Sequence, residues 1–112
     1  SIRDLDQRSP HTFAELLRGP QSLGGLLEAR GFRCVPSPDK PRLGLMASYF
    51  SGAYNVAAHG SRDGGTVSAI QVECPWNGIR DKPENQRLFA KALADALGVY
   101  FETHFGRALN AR

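Results

Sequence analysis

Two short runs, residues 54–59 and 67–74, are apolar and β-compatible. Gly60-Ser61-Arg62-Asp63-Gly64-Gly65 between them offers the left-handed conformations that a chain reversal needs. The stretch 49–80 therefore predicts a β-hairpin, and no other stretch constrains the fold as much. Along the second run Val67, Ala69, Gln71 and Glu73 alternate with Ser68, Ile70, Val72 and Cys74. Both sets are mostly apolar, which predicts a strand covered on both faces. Pro75 cannot donate to a ladder, so the strand stops there or lies at an edge. Glu73 ends the run where open α/β sheets place their ligand crevice. Arg62 and Arg80 are its candidate partners in a structural ion pair, a role that stands level with a catalytic one.

The flanking chain predicts helices around this hairpin. Residues 1–10 are charged and aperiodic and read as a leader or linker, and 107–112 as a tail, around a single domain at 11–106. Phe13, Leu16 and Leu17 predict a short helix over 12–18, with Ser9 or Thr12 as its cap, ended by Gly19-Pro20. A second helix is expected over 22–30, with Ser22 as its cap and Gly31 as its stop. Gly24-Gly25 costs that helix about 1 kcal/mol per glycine, so the pair serves close packing or frays the helix. Residues 32–35 predict a short strand, and the proline-rich 36–41 an exposed connection. Asp81, Pro83 and Glu84 have the pattern of a helix start with a capping box. From there Leu88, Phe89, Ala92, Leu93, Ala96, Leu97, Tyr100 and Phe101 recur at helical spacing to about His104, with Gly106 as the stop. The expected fold class is α/β: a small mixed sheet containing the hairpin, packed by a long C-terminal helix and short N-terminal helices.

Composition narrows the functional classes. A chain of 112 residues with a 41% hydrophobic fraction supports one modest core. Its net charge of +3 is spread along the sequence without a Lys/Arg block, so nucleic-acid binding gains little support. No run is apolar enough to span a membrane and no signal-peptide core opens the chain. Cys34 and Cys74 lack metal-ligand or redox spacing and read as reduced, buried thiols, which points to the cytoplasm or an organelle interior. Ser1 is not an initiator residue, so a processed or excised chain is expected.

Tyr49-Phe50-Ser51-Gly52-Ala53-Tyr54-Asn55, the turn His59-Gly60-Ser61-Arg62-Asp63-Gly64-Gly65, Ala69-Ile70-Gln71-Val72-Glu73 and the final capped helix are read together. This pattern resembles the C-terminal part of N-formylglutamate amidohydrolases, zinc-dependent hydrolases of carboxypeptidase-like (phosphorylase/hydrolase-like) fold. The resemblance runs from about Leu16 to Gly106. It implies that Glu73 is the general base and acid that activates a zinc-bound water and protonates the departing amine of an N-acyl (formyl) amino acid. It also implies that Gly52, Tyr54, Asn55 and Arg62 line the substrate crevice, with Arg62 gripping a carboxylate. The zinc that the family implies takes its ligands from motifs upstream of the matched region. This chain offers His11, His59 and His104 without a paired ligand motif, so no metal ligand is assigned in it. Ala53 and Ala58 stand where relatives carry glycine and arginine.

Two functions follow as expectations. One is the C-terminal portion of such a hydrolase, inactive alone and completed by an upstream polypeptide. The other is a non-catalytic remnant serving as a structural or interaction subunit in a homo-oligomer or larger assembly. Individual residues also have plainer roles: His59 as a turn residue, His104 facing the helix dipole, and Tyr49, Phe50 and Tyr54 in packing. Trp76 is placed to cover Glu73, where an apolar lid would raise the carboxyl pKa.

Overall fold

The computed structural model describes residues 2–45 and 54–109. Five α-helices organise them: α1 (Arg3–Arg8), α2 (Phe13–Arg18), α3 (Leu23–Glu28), α4 (Tyr54–His59) and α5 (Pro83–Phe105). A single 3₁₀ turn, Ser61–Asp63, follows α4. Among the described residues there is no β-strand. The expected α/β class, with its mixed sheet, hairpin and carboxypeptidase-like architecture, is therefore corrected to a helical fold.

The physical reason lies in both arms of the expected hairpin. Tyr54–His59 contains Ala57 and Ala58, strong helix formers, against a single β-branched residue, Val56, and it winds into α4. Residues 67–74, expected as the second strand, carry no regular secondary structure. Ser68, Ile70 and Val72 do share one face, and that face lies along α5 instead of a neighbouring strand. The turn between the arms still uses glycine as anticipated: Gly64 adopts φ 98° at the end of the 3₁₀ turn. Residues 32–35, expected as a strand, likewise form none.

The core forms where α3 and α5 meet and is closed by α1 and α2. Ile2, Leu5, Leu16, Leu26, Leu27, Ala92, Ala96 and Tyr100 are buried together, with Phe32, Cys34, Phe89 and Phe101 packed around them. Each large member contributes about 1.5–3 kcal/mol by leaving water. Ile2 and Leu5 come from the stretch expected to be leader or linker, and Leu5 retains 2% of its exposure. The apolar stripe of α5 falls inward as its spacing predicts, except that Leu88 faces solvent. Ala96, fully buried at 0%, lets neighbouring elements approach the α5 backbone closely.

Local chemistry explains the helix ends. Ser22 caps α3, its hydroxyl accepting from Gly25 N at 3.0 Å while donating to Gly19 O at 2.7 Å. Gly31, at φ 87°, follows the end of that helix. Gly106, at φ 61°, ends α5, its N–H donating to Glu102 O. The start of α5 departs from the expected capping box. Lys82 is the N-cap and makes no side-chain bond, while Pro83 occupies the first turn. Asp81 instead accepts from the Asn85 amide at 2.7 Å, and that bond holds its carboxyl below the usual range.

The capping box is found at α2. Thr12 Oγ1 accepts from Glu15 N at 3.3 Å, and Glu15 Oε2 accepts from Thr12 N at 2.8 Å and from Thr12 Oγ1 at 2.7 Å. The side-chain bond from Thr12, then the backbone bond, hold the Glu15 carboxyl below its ordinary 4.5. A lowered folded-state pKa stabilises the fold above the unfolded value, and this support is lost as pH falls through the folded value. Thr12→Ala leaves the Glu15 N–H without its cap and is expected to cost about 1 kcal/mol. Thermal melts from pH 6 down to pH 3 should show a shallower acid loss in the variant than in the parent chain.

Candidate functional site

The expected crevice does not assemble around Glu73. Glu73 lies exposed on the 67–74 segment, where Gln71 Nε2 donates to its Oε1. Among the described residues neither Arg62 nor Arg80 makes an ion pair with it. Arg62 is anchored through its backbone, its carbonyl accepting from Arg3 Nη1 at 2.9 Å. Tyr54 and Asn55 both lie exposed on α4. Gly52, like Tyr49, Phe50 and Ala53, falls outside the described residues. Trp76 does not cover Glu73; its ring is exposed and faces the Arg80 guanidinium, 5.8 Å from the ring centroid.

What the segment builds instead is an apolar groove. Ser68, Ile70 and Val72 form one wall, and Leu93, Leu97 and Phe101 of α5 form the other, enclosing about 240 Å³. Ile2, Leu23, Tyr100 and Phe105 complete it. The segment is held to α1 at its start: Leu5 N donates to Ser68 Oγ at 3.2 Å, and Asp4 N donates to Ser61 Oγ at 3.0 Å. These hydroxyls satisfy N–H groups of the first turn of a short helix, which have no partner within it. At the far end the chain passes Pro75 and enters Trp76–Arg80, an irregular helical turn interrupted by Asn77 (ψ 129°) and Gly78 (φ 81°). Gln86 Nε2 then donates to Arg80 O at 2.9 Å and fixes the entry to α5.

The groove is open, and its rim is greasy. Ile70 and Val72 retain 49% and 43% of their exposure. Burial raises the Tyr100 phenol above its ordinary value. Its ring packs edge-on against His104, 4.6 Å between centroids. His104, beyond the expected dipole role at the end of α5, reaches Gln21 O with Nε2 at 2.8 Å and ties the α2–α3 turn to that helix. His59 closes α4 and is exposed. Among the described residues no three His, Cys, Asp or Glu side chains form a group that could hold a metal ion. No helix of the described residues is long and apolar enough to cross a membrane.

Sequence reasoning concentrated on Glu73 and passed over the residues beside it. The sequence already shows that Ser68, Ile70 and Val72 share one face, as do Leu93, Leu97 and Phe101 on α5, but not that the two faces meet. Two apolar faces in one small domain can pack on each other, or they can leave a channel between them. Compared with known proteins, the chain matches no family model, no curated protein and no solved structure.

Proposed function

We propose that this chain is a non-catalytic interaction subunit that pairs with a second copy of itself through the groove between the 67–74 segment and α5. The observation that supports this is an open apolar channel whose wall residues Ile70 and Val72 stay half-exposed to water. Water-exposed walls of this kind cost free energy that association recovers, and contiguous apolar surface marks contact sites. A two-fold arrangement suits this, because it covers the same exposed apolar wall on both copies at once. Glu73 and Arg62 enter this reading as exposed polar residues, and Tyr54 and Asn55 as surface groups of α4. The scarcity of cysteine supports a cytoplasmic or organelle-interior placement.

Light scattering after size-exclusion chromatography tests the reading. The parent chain is expected at twice the monomer mass at micromolar concentration. Ile70→Asp is expected at monomer mass with an unchanged helical circular dichroism spectrum, a weakening of dimerisation of at least about 100-fold for a charge buried at such a contact. A parent chain that stays monomeric at hundreds of micromolar would sink the proposal. So would formylglutamate hydrolysis by the zinc-loaded chain that Glu73→Gln abolishes.

A further inference from the structure

Tyr100 belongs to the core and keeps 5% of its exposure, yet it also lines the channel between α5 and the 67–74 segment. Aromatic neighbours on its own helix hold the ring, with His104 at 4.6 Å and Phe105 at 6.3 Å between centroids. Among the described residues its hydroxyl has no hydrogen-bond partner, and loss of hydration alone pushes the phenol above its ordinary value. A buried tyrosine normally gives its O–H to an acceptor, because an unmade bond leaves the desolvation uncompensated.

A second hydroxyl lines the same channel. Ser68 Oγ accepts from Leu5 N at 3.2 Å, and its own O–H has no acceptor among the described residues. Every other lining side chain is apolar, and none carries a charge. The channel therefore offers about 240 Å³ of apolar space with two unused donors on its walls.

That charge pattern selects the occupant. An apolar cavity of about 150 Å³ stays dry and accepts one benzene ring, so the volume here fits a ring with a few further atoms. A carboxylate or ammonium would give up its hydration to walls that hold no opposite charge. A pure hydrocarbon would leave both hydroxyls unpaired. A group that accepts a hydrogen bond without carrying charge satisfies both conditions.

We propose that this channel binds a small, uncharged, largely apolar compound bearing one carbonyl-type acceptor, with the Tyr100 hydroxyl as the donor that anchors it. The apolar body lies along Leu93, Leu97 and Ile70. This site goes beyond the pairing of two copies and does not rest on it: the compound fills the channel, whereas a second copy covers the half-exposed wall of Ile70 and Val72.

Calorimetric titration of the full chain with three para-ethylbenzenes of equal size tests the site. They are 4-ethylacetophenone, 1-ethyl-4-isopropylbenzene and 4-ethylbenzoate. The ketone is expected to bind once per chain with a Kd of about 100 µM. It should bind about 5-fold tighter than the hydrocarbon, and the carboxylate at least about 10-fold more weakly than the ketone. Tyr100→Phe keeps the ring and should remove the ketone's advantage while the hydrocarbon still binds. Leu97→Trp fills the channel and should abolish binding of both, with the helical circular dichroism spectrum retained. Absence of ketone binding at millimolar concentration would overturn the proposal. So would a ketone no tighter than the hydrocarbon, or an advantage that survives Tyr100→Phe. Each titration is repeated at low and high protein concentration. An affinity that falls as the protein concentration rises would show a second copy filling the channel, which also overturns the site while leaving the pairing intact.

Discussion

Gly24→Ala is expected to destabilise the protein by about 2–3 kcal/mol, although alanine is the better helix former by about 1 kcal/mol. A Cβ at this position would meet Pro36 O at 2.0 Å and Pro36 C at 3.1 Å. Both are backbone atoms, so no side chain can swing aside. The obstructing loop is itself tied down, because Ser37, fully buried, donates to Glu28 of the same helix and accepts from Lys40 N at 3.1 Å. Relief requires α3 to move away from the 36–40 loop or the loop to release its bonds. Gly25→Ala is expected to behave similarly, since its Cβ would meet Gly19 O at 2.4 Å and Pro20 O at 2.9 Å. Gly98 in α5 supplies the control: nothing lies within 4 Å of its added Cβ. Gly98→Ala should therefore stabilise by about 0.5–1 kcal/mol. Urea titrations of the three variants measure all of this, and a stabilised Gly24→Ala would show that α3 does not sit against this loop.

The second large effect is expected at Leu16→Ala, a loss of about 2–5 kcal/mol. That is a substantial part of the 5–15 kcal/mol typical of a small domain. Leu16 retains 2% of its exposure and is the buried residue of α2. A helix of six residues has no stability of its own in water, so α2 persists because Leu16 is inserted among Leu26, Leu27 and the α5 stripe. Truncation leaves a cavity and removes the contact that holds the helix. Leu17, its neighbour, points away and retains 39% of its exposure. Leu17→Ala should cost no more than about 0.5 kcal/mol. Equal losses at the two positions in denaturant melts would contradict this placement of α2.

Much of α2, α3 and α5 was legible because their signals are local. Thr12 and Ser22 as caps, Gly31 and Gly106 as stops and the inward stripe of α5 all follow from residues within a turn or two of one another. The capping box assigned to Asp81 and Glu84 was misplaced by a local competitor, Asn85, whose amide takes the Asp81 carboxylate. The β-hairpin failed for a different reason. Alternation in 67–74 groups Ser68, Ile70 and Val72 on one face of the groove, but a strand exists only through a partner. Alanine-rich 54–59 preferred to form α4.

The candidate site divides in the same way. Glu73 drew attention as a carboxylate before a proline, a feature of sequence. Its exposure, its bond from Gln71 and the separate engagement of Arg80 with Trp76 are facts of packing. The sequence by itself determined the caps of α2 and α3, the glycine stop of α5 and most of the residues of α5 that turn inward, because each rests on contacts a few residues apart. Only the tertiary structure decided that Gly24 and Gly25 admit backbone rather than fray a helix. It alone decided that Ile2 and Leu5 join the core, and that Ile70 and Val72 face α5 across an open groove. Those outcomes depend on segments distant in the chain meeting in space, and no local preference encodes which distant surface a given face will find.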